Sequence, residues 1–238
     1  MVPLRSVRKT SAEPRTVSAG RAAWEWARSM GTGLLLFLVI RTFLLQTFTI
    51  ISGSMENTFL IGDFVIVNKV AYGASLPLSD GRAPGLASPR RGDVVVFRSN
   101  HDDPPENIVK RLLAEPGDTI EMRGGTVFLN GAALREPYVQ HVDPTGDDVI
   151  DGELLWQREY LVPGVDRSRY FPSRENWGPI IVPAKSYFML GDNRDKSYDS
   201  RYWGFVKHEE IIGRAEVLYF SWIKGVGPRW GRIGDRVH

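Results

Sequence analysis

The sequence predicts a mainly β protein: an antiparallel β-sheet domain with a β-rich insertion lobe, preceded by one N-terminal transmembrane helix. Three observations carry this prediction. An apolar stretch beginning at Gly33 follows a basic start. From Thr49 onward, short β-branched runs alternate with turn residues, and no stretch after residue 50 keeps a helical period. The chain also holds 24 glycines and 15 prolines, which favours many turns over a helical bundle.

Residues 1–29 carry Arg5, Arg8, Lys9, Arg15, Arg21 and Arg28 against only Glu13 and Glu25. Residues 1–23 therefore read as a basic tail with little apolar surface to bury. The apolar run Gly33–Ile40 resumes after Arg41 and continues to Ile51. A cleaved signal peptide fits the basic start, but no A-x-A-like site follows. A buried core helix is a second reading. The favoured one is a membrane anchor over residues 24–47, with Trp24 and Trp26 as interfacial aromatics and Arg41 snorkelling to the far side. The basic residues ahead of the run point the N-terminus to the cytoplasm, and the next basic residue after Arg41 is Lys69. Everything from about residue 48 then lies on the outer face.

Beyond the anchor, Asp63–Asn68 and Asp93–Phe97 read as strands, separated by a Gly/Pro/Ser-rich loop over 73–91. Asn107–Glu115 reads as a strand closed by the turn Pro116-Gly117-Asp118. Gly124-Gly125 and Asn130-Gly131 are two-residue hairpin signals. Leu154–Val162, Ser186–Leu190 and Ala215–Ile223 complete the expected strands. The main β domain is expected over 48–123 and 185–238, and the insertion lobe over 124–184.

Composition narrows the chemistry. A net charge of +2 gives no footprint of a nucleic-acid binder, and the absence of cysteine excludes disulfides, thiolate metal sites and a thiol nucleophile. None of the histidines, His101, His141, His208 and His238, stands in a nucleophile-elbow or metalloprotease context. His101, in an Asp/Pro-rich loop, reads as a solvated residue. The dense run Gly191–Gly204 fails the EF-hand template, because Arg194 and Lys196, or Ser200 and Val206, fall where calcium ligands or the turn glycine belong. It reads as a polar turn with internal Asp/Arg pairs or as a functional loop.

Two further segments carry nucleophile chemistry. Ser52-Gly53-Ser54, alone, is an ordinary turn. Directly after an anchor and before a strand, it is also a flexible turn able to expose a hydroxyl and aim backbone N–H groups at a carbonyl. Strand alternation puts Lys110 on one face with Ile108 and Leu112, and Val109, Arg111 and Leu113 on the other. Lys110 is then either an edge lysine reaching for water or a buried amine.

In order and spacing these pieces resemble bacterial type I signal peptidase. The motifs are Ser52–Met55, Gly62-Asp63, Arg91–Phe97, Lys110-Arg111 with Pro116-Gly117-Asp118, and the long run Gly191–Gly204. They cover about residues 40–123 and 186–220. The resemblance implies a serine endopeptidase that removes signal peptides with a Ser–Lys dyad, needing no cofactor and no metal. Ser54 would be the nucleophile and Lys110 the general base. The Ser52 hydroxyl and the Ser54 N–H would form the oxyanion hole, and Ser197 would orient the Lys110 amine. Gly191 would leave room beside that amine, with Asp199 and Arg201 bracing the loop. Ile50, Ile51, Phe59, Ile108 and Val109 would face the substrate and favour small uncharged side chains. Ile51, Asn57 and Phe59 depart from the residues usual for the family at those positions. The implied partners are preproteins bearing signal peptides, membrane lipid and the export machinery, at the bacterial plasma (inner) membrane with the catalytic domain on its outer, periplasmic face. A peptidase dedicated to one pilus or conjugation protein, and an inert membrane-anchored β scaffold, are the alternatives.

Overall fold

The computed structural model describes residues 19–75, 81–99, 104–143 and 149–238, in two compact units, 1–40 and 41–238. Residues 1–18, most of the expected basic tail, and His101 lie outside the described residues.

The described part of the first unit is helix α1 (Ala19–Val39); a π-helical turn, Ile40–Leu44, follows it in the chain and leads into the second unit. Within the 25 residues Gly20–Leu44 an 18-residue window reaches a mean hydropathy of 1.4, and none of it is buried inside the protein. At ~1.5 Å per residue such a helix exceeds the ~30 Å hydrocarbon core of a bilayer. The helix starts before Trp24, where the anchor was expected to begin. It also ends earlier, since strand β1 (Leu45–Thr49) takes the last residues of the expected span 24–47.

In the second unit the strands are β2 (Asp63–Asn68), β3 (Val94–Arg98), β4 (Asn107–Ala114), β5 (Thr119–Arg123), β6 (Thr126–Leu129), β7 (Ala132–Ala133), β8 (Trp177–Ile181), β9 (Ser186–Leu190), β10 (Val206–Lys207), β11 (Ile211–Ile223) and β12 (Gly227–Pro228). The larger sheet has the order β1-β2-β11-β3-β4-β9-β10, with β12 added to β11; the smaller is β7-β6-β5-β8. Every pairing between strands is antiparallel.

Alternation explains the core. On β3, Val94 and Val96 join Val65, Val67, Met55 and Phe59 in one apolar cluster, while Val95 and Phe97 join Leu112, Tyr187 and Met189 in another. A strand covered on both faces needs an unbroken apolar run, which Val94–Phe97 supplies. A third cluster packs Leu113, Ala114, Phe188 and Leu190 against Ile120, Val127, Trp177 and Ile180. The small sheet therefore shares its core with β4 and β9, and it begins at Thr119, ahead of the expected lobe boundary at residue 124.

The hairpin signals hold: Gly124 and Gly125 join β5 to β6, and Asn130 and Gly131 join β6 to β7, all four at positive φ. Such two-residue turns match the twist of the strands they connect. The expected strand Leu154–Val162 is mostly a 3-10 helix, Gly152–Glu159. Asp151 caps its start by accepting from the Glu153 N–H at 2.9 Å, and Leu154 and Gln157, three residues apart, face inward. Only Leu161 is extended, in a bridge to Ile180. Strand β8 was hidden by Gly178 and Pro179; a proline is tolerated there because β8 is an edge.

Candidate active site

Strand β1 delivers the chain into the turn Ser52–Asn57, which the core pins from below. Met55 and Phe59 are buried, and the Phe59 N–H donates to the Met55 carbonyl at 2.7 Å. Downstream, the Asp63 carboxylate accepts from the Leu60 N–H, Ser221, Arg229 and Arg232, and Arg232 also donates to the Thr58 carbonyl. The turn leaves Ser54 facing β4.

Lys110 reaches it from the neighbouring strand. Its Nζ lies 2.7 Å from Ser54 Oγ, and the two residues are 3 % and 7 % exposed. This decides between the two readings of Lys110: it is a buried amine. Burial pushes the amine down to about 8 from an ordinary lysine value; Asp199 and Asp192 pull it back up, and Arg201 opposes them. At pH 7 about one such amine in ten is neutral, against about one in 3,000 in water. Ser52 Oγ stands 3.4 Å from Ser54 Oγ, on the exposed side of the pair.

The loop after β9 closes the site from behind. Gly191 is there because nothing larger fits: a Cβ would overlap Ser197 Oγ and the Ser54 carbonyl oxygen. Its N–H donates to Asp199 Oδ2 at 3.0 Å, and the Asn193 N–H donates to the Ser54 carbonyl at 3.1 Å. Arg201 grips Asp199 with two donors at 2.8 and 3.0 Å, both side chains fully buried. Burial raises the Asp199 carboxyl, but the Arg201 guanidinium, together with the hydrogen bonds the carboxylate accepts, including the one from the Gly191 N–H, holds the group below the ordinary range. The expected Ser197–Lys110 hydrogen bond is not formed. Ser197 Oγ is buried beside Gly191 and makes no hydrogen bond with Lys110.

The expected substrate-facing residues do not share one surface. Phe59 is wholly buried and Ile50 is 5 % exposed, both inside the cluster of Val65 and Val67. Val109 packs on that cluster and Ile108 on the one across the sheet, as strand alternation demands. Ile51, 78 % exposed, stands clear. Phe59 is thus a core residue, held inward by the turn whose carbonyl its N–H binds.

Two buried ion pairs flank the site without having been singled out in the sequence. Arg111 donates to Asp192 at 2.8 and 2.9 Å, and Thr58 Oγ1 donates to the same carboxylate. Arg194 pairs with Glu136 of the insertion. The Lys110-Arg111 doublet and the charge density after Gly191 hint at the first pair. Nothing local marks Glu136. Among the described residues, one group has metal-type ligand atoms close together, His141, Glu175 and Asp195 within 4.8 Å. Arg174 lies 4.0 Å from Asp195 and supplies the positive charge there.

Residues 23–222 match the family model described as signal peptidase, peptidase S26. The chain is 39 % identical over 211 residues to a signal peptidase I from Pseudomonas aeruginosa, covering 83 % of this chain and 72 % of that protein. It is 37 % identical over 226 residues to one from Pseudomonas fluorescens, covering 88 % and 78 %. A solved signal peptidase I from Enterococcus faecalis V583 is 32 % identical, covering 53 % of this chain and 96 % of that one at a TM-score of 0.36.

Proposed function

The chain belongs to the signal peptidase family, peptidase S26, and from that membership we propose that it cleaves signal peptides from exported preproteins with a Ser54–Lys110 dyad. The observation that carries the dyad is the 2.7 Å contact between a buried, easily deprotonated amine and a serine hydroxyl.

Neutral Lys110 takes the proton of Ser54 as Oγ attacks the carbonyl carbon of the scissile peptide bond. Negative charge then develops on the carbonyl oxygen, to which the Ser52 hydroxyl and the Ser54 N–H donate. The resulting Lys110 ammonium gives its proton to the departing amine. A water, deprotonated by the same amine, attacks the acyl carbon, and Ser54 Oγ leaves as a hydroxyl on the proton that Lys110 returns to it. The lysine thus does both proton transfers that a histidine does in a triad. Asp199 and Arg201 form a fixed neutral pair behind the amine, and Ser197 fills the space left by Gly191.

Membrane anchoring belongs to the same proposal. Helix Gly20–Leu44 holds the catalytic domain at the outer face of the bacterial plasma membrane, where preproteins emerge from the export machinery. Apolar Ile51, Ile108 and Val109 remain as candidate contacts for small side chains of the substrate.

The test is turnover of a model preprotein by the detergent-solubilised full chain. Ser54→Ala and Lys110→Ala are each expected to abolish it, and the double variant to be hardly worse than either. An active Lys110→Ala enzyme sinks the dyad. For the anchor, protease added to spheroplasts is expected to cut loops after residue 50 and spare an N-terminal tag; the opposite pattern reverses the topology.

A further inference from the structure

We infer that Glu136–Gln140, on the segment leaving the small sheet after β7, is a positioning element that holds the Gly191–Asp199 loop against the back of the Ser54–Lys110 pair. This deepens the dyad reading and rests on it.

Among the described residues, this segment supplies the β-bridge partner of the loop through Asp192–Asp195. Gln140 pairs with Asn193 in a parallel bridge: its N–H donates to the Asp192 carbonyl at 2.8 Å, and the Arg194 N–H donates to the Gln140 carbonyl at 3.0 Å. On its other side the loop binds the nucleophile turn, Asn193 N–H to the Ser54 carbonyl. The insertion segment also reaches that turn directly, since Asn57 Nδ2 donates to the Tyr138 carbonyl at 3.0 Å. Loop, turn and insertion thus form a closed circuit of hydrogen bonds around Ser54, all between backbone groups except the one from the Asn57 side chain.

Two side chains lock the circuit. The Tyr138 ring lies 3.8 Å from the Arg111 guanidinium carbon, a cation–π contact that covers the Arg111–Asp192 pair next to Lys110. Glu136 accepts from both terminal nitrogens of Arg194, at 2.5 and 3.2 Å, with the two side chains 8 % and 2 % exposed. Arg194 in turn donates from Nε to the Gly191 carbonyl at 3.1 Å, and its own carbonyl accepts from Arg201 at 2.7 Å. Glu136 therefore reaches both Gly191 and the Asp199–Arg201 pair through one arginine. The Tyr138 hydroxyl donates to Glu136 at 3.1 Å, so the two side chains act as one. A buried arginine left without its carboxylate has no other way to be neutralised and must shift toward water, taking the loop with it.

A purely structural role would lower stability and leave the chemistry of folded enzyme alone. A positioning role displaces reacting groups, and misplacement by about 1 Å costs on the order of 100-fold in rate. The experiment measures kcat, KM, the pH dependence of kcat and thermal stability for the full chain in detergent, for Tyr138→Ala, Tyr138→Phe, Glu136→Gln and Ser54→Ala. Tyr138→Ala is expected to lower kcat by about 10- to 100-fold with KM within about twofold. Its rising pH limb moves to higher pH, because water reaching Arg111 and Asp192 weakens the desolvation of Lys110. Tyr138→Phe keeps the ring and recovers most of the loss. Glu136→Gln keeps the shape and serves if Tyr138→Ala does not fold; it is expected to reduce kcat several-fold, also with the limb displaced. Unchanged kcat and pH limb in folded Tyr138→Ala or Glu136→Gln overturn the inference, as does a raised KM with kcat intact, which would mark a substrate contact. A Ser54→Ala enzyme that turns over overturns the dyad itself, whatever Tyr138 does.

Discussion

Replacing Lys110 by methionine in a Ser54→Ala background removes an amine whose ionisation the fold opposes, and stability at neutral pH is expected to rise. Burial lowers Lys110 to about 8 from 10.5. At pH 7 the amine is protonated in both folded and unfolded chains, so the folded state bears nearly the whole penalty. At about 1.4 kcal/mol per pH unit this is about 3 kcal/mol. Because the folded value lies below the unfolded one, the unfolded chain binds more protons between pH 8 and 10.5. Stability of the lysine protein therefore climbs with pH through that window, and the advantage of methionine fades. The Ser54→Ala background prevents self-digestion and removes the hydrogen bond to Ser54, which otherwise offsets about 1 kcal/mol. The assay is chemical unfolding of the two full-length proteins in detergent at several pH values, followed by tryptophan fluorescence. The double variant is expected to be more stable by about 1–3 kcal/mol at pH 7, shrinking toward zero near pH 10.5. A double variant no more stable at pH 7, or a gain that does not depend on pH, refutes the reasoning.

Preprotein turnover should rise along a limb of apparent pKa about 8, the pH at which Lys110 loses its proton; a limb above 10 would exclude Lys110 as the base. Lys110→Arg should not rescue Lys110→Ala, since a guanidinium stays charged throughout, and steady-state rates decide this. Gly191→Ala should abolish turnover while the domain still folds, because the new methyl overlaps both Ser197 and the Ser54 carbonyl; wild-type kinetics would show that the loop yields easily. Phe59→Ala should cost about 3–5 kcal/mol of stability through the cavity it opens, with the cleavage profile of folded enzyme unchanged, as a panel varying the residues before the cut would show. Acceptance of larger residues there would return Phe59 to the pocket.

Much of the site was legible from the sequence because its pieces are local. The Lys-Arg strand carries charge where its apolar neighbours continue a strand pattern, and the Ser-Gly-Ser turn and the run from Gly191 to Gly204 each hold their polar residues within a few positions of one another. The hairpins were equally plain, since Asn130-Gly131 and Gly124-Gly125 supply the positive φ that two-residue turns need. Alternation also predicted which apolar residues of β4 part to opposite faces, as Ile108 and Val109 do.

Residues 152–159 misled because Leu154 and Gln157, read at a strand period, face inward at a 3-10 period once Asp151 caps the start. Phe59 misled because burial depends on what the turn packs against, here Met55 and two strands distant in sequence. The fate of Lys110 is the clearest division. Its sequence neighbours allowed both an exposed edge lysine and a buried amine, and favoured the edge. Only the arrival of Ser54, 56 residues away, and of the Gly191 loop, some 80 residues on, withdraws it from water. The same holds for Glu136 and Tyr138, whose partners Arg194 and Arg111 lie in other segments. Sequence alone determined which residue types and turns were present, because propensity and periodicity act over a few positions. Tertiary structure decided protonation and pairing, because desolvation and Coulomb interactions act through space between groups that the chain keeps far apart.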